Sequence, residues 1–200
     1  MSSERILFKY SQIYDANLSR ASGYELTDTE SAEGYAFVDK LRMAFEPMQG
    51  VFSFYTSIGF KLPEVTPAYL THPRGTFTPF SDPLTIHILE DVDDVLATLV
   101  HEYGHVVFLA SENDVFSENI WNQVQAAFPD EDFVTRDHIT INKLTEAALS
   151  GVWSAEKVAT TLAKERALPG LGRAWEIWDT SGVTEWDPVK AIEQLCVTRK

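Results

Sequence analysis

Two histidines and a glutamate lie within five residues of one another in the segment "DDVLATLVHEYGHVVFLAS", residues 93–111. The rest of the segment is mostly apolar with helical periodicity, so His101 and His105 should lie one above the other on one helix face. Two imidazoles at this spacing can bind one cation. Zinc prefers His nitrogen with one carboxylate and keeps a fourth position for water, whose proton Glu102 could accept. The pattern therefore predicts one zinc ion per chain.

A third protein ligand must come from elsewhere in the chain. Position 111 is a serine, and no histidine follows until His138. Glu146 in "NKLTEAALSG" is the first choice, because the small residues around it would let two helices approach closely enough to share a metal. Glu112 and Glu118 are competitors: Glu112 is too near the end of the same helix, whereas Glu118 opens the next helix and stays open as an alternative.

The elements that must position these residues follow from periodicity and from Pro and Gly punctuation. We expect a helix over about 32–48 that packs behind a sheet, then short strands at Ala68–His72 and Leu84–Leu89. The metal-binding helix should run from about Val92 to Leu109, with carboxylates in its first turn that complement the helix dipole. Further helices follow, and the Gly-x-Gly at 170–172 is predicted to be a turn because no strand precedes it.

Composition limits the class of protein. The chain has 200 residues, 44% of them hydrophobic, and a formal net charge of -14. This length fits one domain, residues 1–200, with a core over about 32–155 and a helical extension over about 155–200. The acidic charge argues against nucleic acid or an anionic membrane as a partner and favours basic peptides. The single cysteine, Cys196, fits a reducing compartment.

The N-terminal segment lacks the apolar run of a secretory signal, and no stretch reaches the length of a membrane span. We therefore expect a protein that is cytoplasmic or exported without a cleaved signal peptide.

The motif "HEYGH" followed some forty residues later by "LTEAAL" resembles the gluzincins. In this family of zinc metallopeptidases, the ligands are two histidines on one helix and a glutamate on a later one. More narrowly, the chain is similar to the anthrax lethal factor-like catalytic domain and to minimal gluzincins, over about Val65–Trp153. The resemblance implies that His101, His105 and Glu146 bind zinc and that Glu102 is the general base. It also implies an α+β, zincin-like fold with a small mixed β-sheet, an N-terminal backing helix and a mainly helical C-terminal half.

The chain departs from the lethal factor type at one position. That type has a tyrosine before the glutamate ligand that stabilises the oxyanion, and "VTRDHITINKLTE" offers His138 instead. His138 is therefore predicted to be catalytic, as an oxyanion donor; the alternative is a histidine in a surface loop. His72 and His87 have no catalytic argument: His72 precedes a proline in a turn, and His87 is read as an ordinary strand histidine.

The function that this resemblance implies is a zinc-dependent endopeptidase acting on peptides or proteins. The strand before the metal helix, "PLTIHILE", would lie at the sheet edge and bind substrate as an added strand. A different class of function remains open: an inactive protein of the same fold that serves as a zinc-stabilised binding module.

Overall fold

The described part of the chain contains one small sheet and a larger number of helices. The computed structural model describes residues 5–73 and 78–198. The strands are β1 (Ile6–Tyr10), β2 (Thr66–Thr71), β3 (Phe80–Ser81) and β4 (Leu84–His87). The helices are α1 (Gln12–Ala21), α2 (Asp28–Phe45), α3 (Gly50–Ser57), α4 (Val92–Leu109), α5 (Asp114–Ala127), α6 (Phe133–Ser150), α7 (Ala155–Arg166), α8 (Pro169–Ser181) and α9 (Pro188–Thr198). The chain divides into two compact units, Met1–Gln49 with Pro63–Val106, and Gly50–Leu62 with Val107–Lys200.

The first unit contains the sheet, whose strand order is β1-β2-β4-β3. β1, β2 and β4 are parallel, and β3 runs antiparallel to β4. In β1 the residues alternate between buried and half-buried, with Ile6, Phe8 and Tyr10 on the buried face. This alternation is the period of a strand that packs one face against a helix.

Helices α2 and α1 cover the sheet. α2 begins with a capping box, in which Thr27 and Glu30 each bond to the other's backbone N–H. It packs on β1 and β2, with the Phe45 ring edge-on to Phe8 at 5.5 Å between centroids. α1 packs on β2, where its Tyr14 contacts the Tyr69 ring. The segment formed by β1 and α1, which looks polar in the sequence, therefore contributes to the core of this unit.

The second unit is helical in the part that the structure describes, and α6 lies at its centre. α6 packs against α3, α5, α7, α8 and α9. Its Ile139 and Ile141 are fully buried, and the Ile139 carbonyl accepts a hydrogen bond of 2.8 Å from the Trp178 indole N–H. Since a buried indole needs a partner, this bond fixes how α8 lies on α6.

The coarse fold prediction is confirmed. The chain is α+β, with a small mixed sheet of four strands, a helix behind it and a mainly helical C-terminal half. The metal-binding helix was predicted over Val92–Leu109, and α4 has these bounds. The backing helix α2 begins earlier than predicted and ends at Phe45, followed by a 3-10 turn, Glu46–Met48. The single-domain assignment stays a prediction.

Two local predictions are wrong, and two N-terminal elements were missed. The Gly-x-Gly segment is no turn, because α8 begins at Pro169 and includes it. Strand β4 ends at His87 and does not lie at the sheet edge, since β2 pairs with it on one side and β3 pairs with Leu84 and Thr85 on the other. The N-terminal strand and helix, β1 and α1, were not predicted. Within the described residues, no helix combines the length and apolarity needed to cross a membrane.

Candidate metal centre

Helix α4 presents His101 and His105 as a buried pair. Their ring centroids are 5.2 Å apart with the planes at 63°, and their ligand nitrogens lie within 4.8 Å of one another. His101 is 5% exposed and His105 is 8% exposed. The spacing predicted from the sequence therefore does bring the two imidazoles together in the first unit.

The apolar side chains of α4 explain why the helix holds this pair in place. Leu99, Val100, Tyr103 and Val107 are at most 1% exposed, so the helix is anchored by its other faces. Burial raises the pKa of Tyr103 to about 12, although the positive charge of Arg5 opposes the rise. The phenol therefore stays protonated at neutral pH and adds no charge next to the histidines.

Glu102 lies between the two histidines in the sequence and is half-buried. On a helix it is turned by about 100° from His101, so it borders the histidine face without lying on it. A carboxylate in this place can accept a proton from a water molecule held at the histidine pair.

Helix α6 in the second unit carries His138. Its N-cap, Asp132, accepts a hydrogen bond of 2.7 Å from the Thr135 backbone N–H, and this bond holds the pKa of the carboxyl below its usual range. His138 is half-buried, and its Nδ1 lies 2.7 Å from the carbonyl oxygen of Val134. Because a carbonyl only accepts, Nδ1 carries the proton and Nε2 keeps its lone pair. The alternative of a surface-loop histidine is wrong, since His138 lies within a helix.

Glu146 lies two turns farther along α6. Its carboxylate forms an ion pair of 2.8 Å with Lys143, and its side chain is 33% exposed. Lys143 is itself placed over the Trp178 ring at 5.4 Å. The eight positions between His138 and Glu146 separate them by about 12 Å along the helix axis. A metal bound to Glu146 would have to compete with the ammonium group of Lys143.

Comparison of the chain with protein-family models, with curated proteins and with solved structures gives no match.

The two other glutamates considered from the sequence are both exposed. Glu112 lies in the 3-10 turn Ser111–Asn113, and Glu118 lies in α5. Glu118 does not open its helix, as the sequence suggested, but lies in the second turn.

The face of α6 that carries His138 continues with two buried polar residues. Asn142 and Thr145 follow it at helical spacing, and both are fully buried. The Asn142 amide and the Thr145 hydroxyl have no hydrogen-bond partner among the described residues. Sequence reasoning missed this stripe, because Asn and Thr in a polar helix look like solvent-facing positions.

Neither of the two remaining histidines was predicted to be catalytic, and His87 lies in a strand as expected. His72 was assigned to a turn, yet its Nδ1 lies 2.7 Å from an Asp15 carboxylate that is fully buried. His87, at the end of β4, is 8% exposed. Burial lowers the pKa of His87, and the negative charge of Asp15 partly opposes this. No sequence signal indicated the Asp15–His72 pair, whose members are 57 positions apart.

Proposed function

We propose that the chain is a zinc-dependent hydrolase that cleaves peptide bonds, with His101 and His105 as two of its zinc ligands. The observation that carries the proposal is the buried histidine pair on α4 with Glu102 beside it. Two buried imidazoles one helical turn apart fit zinc, which takes nitrogen ligands at about 2.0–2.1 Å.

This proposal and the gluzincin resemblance differ in the residue assigned as the third zinc ligand. Metal-binding histidines commonly donate their second ring N–H to a carbonyl or carboxylate, which fixes the tautomer. His138 has this arrangement through Val134 O, with Nε2 left for a metal. Glu146 is engaged by Lys143. We therefore assign the third position to His138, and Glu146 stays the alternative from the sequence.

Three protein ligands and a neighbouring carboxylate are the composition of a catalytic rather than a structural zinc site, since structural sites usually have four protein ligands. When bound there, zinc would lower the pKa of a water molecule and polarise the scissile carbonyl. Glu102 accepts the proton of the attacking water and then passes it to the leaving amine. The acidic chain, with its formal net charge of -14, favours basic peptides as substrates.

Metal content tests the ligand set. The wild type is reconstituted with zinc, passed over a desalting column and measured by elemental mass spectrometry, beside His105→Ala, His138→Ala and Glu146→Ala. We expect about one zinc per chain in the wild type and in Glu146→Ala, and a clear loss in the two histidine variants. Glu156→Ala, which removes an exposed carboxylate on α7, is the control for nonspecific binding, and circular dichroism checks that each variant is folded.

The outcomes separate the alternatives. Loss of zinc in Glu146→Ala with retention in His138→Ala would make Glu146 the third ligand and return His138 to the predicted oxyanion role. A wild type that binds no zinc would overturn the hydrolase proposal. Zinc binding without cleavage of labelled casein or of a library of basic peptides would favour the zinc-stabilised binding module.

A further inference from the structure

An exposed apolar patch lies in the second unit, where α5 packs against the start of α6. Its members are Trp121, Phe133 and Val134, and we call them the aromatic patch. The Trp121 and Phe133 rings meet edge to face, with their centroids 5.6 Å apart. Phe133 is 64% exposed, Val134 is 46% exposed and Trp121 is half-buried. Apolar surface that stays this accessible in a folded chain is typical of a place where another molecule binds.

Helix α6 does not depend on the exposed ring of Phe133 for its packing. Phe133 is the first residue of the helix and directly follows the N-cap, Asp132. Farther along, Ile139 and Leu144 anchor the helix and are at most 1% exposed. A side chain that is nearly two-thirds exposed gains little from the hydrophobic effect on folding. Most of the apolar surface of Phe133 is therefore accessible to a partner.

The aromatic patch adjoins the residue assigned above as the third zinc ligand. Val134 precedes His138 by about one helical turn, and its carbonyl oxygen lies 2.7 Å from Nδ1 of His138. Residues four apart on an α-helix lie on one face, so Val134 and His138 share a face of α6. A peptide held at His138 can therefore reach the patch by extending along one turn of the helix.

Three exposed carboxylates flank the aromatic patch in the chain: Glu118, Asp130 and Asp132. Glu131, between the two aspartates, is neutralised by Arg173 at 2.6 Å. Arg136 is the one arginine or lysine in residues 112–138, and its guanidinium donates to the Pro129 carbonyl at 3.4 Å. The charge beside the patch is therefore negative even when Arg136 is counted.

We propose that the aromatic patch holds a bulky apolar side chain of the peptide substrate, and that Lys or Arg residues on either side of it pair with the three carboxylates. This inference rests on the proposed function, since it takes a peptide as the occupant. Burial of an aromatic or branched side chain against two rings supplies affinity. The face of Trp121 also attracts cationic side chains, and complementary charge speeds the encounter. A second copy of this chain is a poorer occupant, because it would bring like carboxylates together.

Binding is measured on the full chain carrying Glu102→Gln, so that the peptide is not cleaved. The probe is the fluorescein-labelled peptide Lys-Arg-Leu-Phe-Arg-Lys with an amidated C-terminus, and fluorescence anisotropy follows its binding. One matched peptide has Ser-Ser in place of Leu-Phe, and another has Glu in place of every basic residue. We expect the first replacement to weaken binding about tenfold, because it removes the apolar anchor, and the second to abolish binding below millimolar concentration.

Variants of the patch test which side chains hold the peptide. Phe133→Ala should weaken binding of the basic apolar peptide about tenfold, because it removes the more exposed ring. Phe133→Leu, which keeps an apolar side chain, should restore most of the binding. Trp186→Ala is the matched control, because Trp186 is 89% exposed in the segment between α8 and α9 of the same unit, and it should leave binding unchanged.

A charge variant tests the carboxylates. Asp130→Asn should weaken binding about two- to threefold at low salt and less at about 0.5 M salt, where exposed charges are screened. Glu156→Gln, which removes an exposed carboxylate on α7, is its control and should leave binding unchanged.

These measurements distinguish failure of this inference from failure of the proposed function. Binding that Phe133→Ala weakens supports the aromatic patch as a peptide-binding surface, even if the wild type cleaves no peptide and the hydrolase proposal fails. Cleavage by the wild type together with unchanged binding in Phe133→Ala overturns this inference alone. Equal binding of the Leu-Phe and Ser-Ser peptides also overturns it.

Self-association is the remaining outcome. If analytical ultracentrifugation shows a dimer that Phe133→Ala converts to a monomer, the aromatic patch is an interface between two copies and the inference is overturned. Thermal melts of the free variants show whether a loss of binding comes from a loss of folding.

Discussion

Asp15 binds His72 at two places: its Oδ1 accepts from the backbone N–H at 3.1 Å, and its Oδ2 lies 2.7 Å from the ring Nδ1. The Tyr10 hydroxyl donates to the same carboxylate at 2.9 Å. Asp15 is fully buried, so these three donors are what compensates its removal from water. One carboxylate therefore joins the end of β1, the start of α1 and the end of β2.

Replacing Asp15 by Ala should lower the free energy of unfolding by about 3–5 kcal/mol, the range for removing one member of a buried polar pair. The three donors would be left buried without an acceptor. Urea denaturation followed by circular dichroism measures the loss. The control is Asp39→Ala, which removes an exposed ion pair to Arg42 and should change the free energy of unfolding by less than about 1 kcal/mol. Equal effects of the two variants would contradict this account of the network.

Glu102→Gln should keep zinc and lose hydrolysis. The amide occupies the same space but cannot accept a proton, so the rate should fall by about 10²–10⁴-fold, the usual contribution of a general base. Zinc content and cleavage of labelled casein are measured on the same preparation. Glu112→Gln, an exposed carboxylate in the turn after α4, is the control. Full activity in Glu102→Gln would show that Glu102 has no part in proton transfer.

Asn142→Leu should raise the free energy of unfolding. The Asn142 amide is fully buried and has no hydrogen-bond partner among the described residues, so leucine, which has the same branched shape without polar atoms, avoids the desolvation of that group. We expect a gain of about 1–2 kcal/mol in urea denaturation. Ile141→Asn, which places an amide at a fully buried apolar position of the same helix, should do the opposite. A destabilised Asn142→Leu would mean that the amide makes contacts that stabilise the fold.

Glu165 should make the stability of the chain depend on pH. Burial raises the pKa of Glu165 to about 7, although Arg166 opposes the rise. An unfolded glutamate has a pKa of about 4.3, so between about pH 4.3 and 7 the folded chain holds a proton that the unfolded chain has released. The unfolded chain therefore binds fewer protons there, and stability falls as pH rises until the loss is complete above about pH 7.

Glu165→Gln should remove this dependence. Its advantage over the wild type in free energy of unfolding should grow from near zero at about pH 4 to as much as about 3 kcal/mol at pH 8. Glu156→Gln, an exposed position on the same helix, is the control and should show no such growth. A constant difference between Glu165→Gln and the wild type across this range would exclude a raised pKa.

His87 should titrate below its usual pKa of 6.5, because burial disfavours its charged form. The folded chain then prefers the neutral ring. Its contribution to stability is fully present above about pH 6.5 and declines as pH falls below that value. The ring carbon shifts of labelled histidine, assigned with His87→Gln, measure the midpoint by NMR. A midpoint at or above 6.5 would show that the negative charge of Asp15 outweighs burial.

The features that could be predicted from the sequence depend on patterns within a single segment. The bounds of α4 follow from apolar periodicity with acidic residues in its first turn, and these are properties of the segment itself. The close approach of His101 and His105 follows from the same helix, because residues four apart lie on one face.

Contacts between distant segments explain which features could not be predicted from the sequence. β1 is only five residues long and is held by β2, with Ile6 opposite Thr66, so its own alternation was too short to be recognised. Gly172 lies in helix α8 at a place where a Cβ would come within 2.8 Å of the Arg166 carbonyl oxygen, so packing favours glycine there, a reason that no local motif shows. The Asp15–His72 pair likewise depends on where distant segments meet.

The parallel pairing of β1 with β2 also sets the order in which the sheet can be completed during translation. β1 leaves the ribosome first, and sixty positions separate Ile6 from its partner Thr66. At about 5–20 residues per second, the strand waits some 3–12 seconds before β2 is made, and longer for β4. During that time Ile6 and Phe8 belong to an apolar segment without its sheet, the kind of nascent chain that chaperones bind.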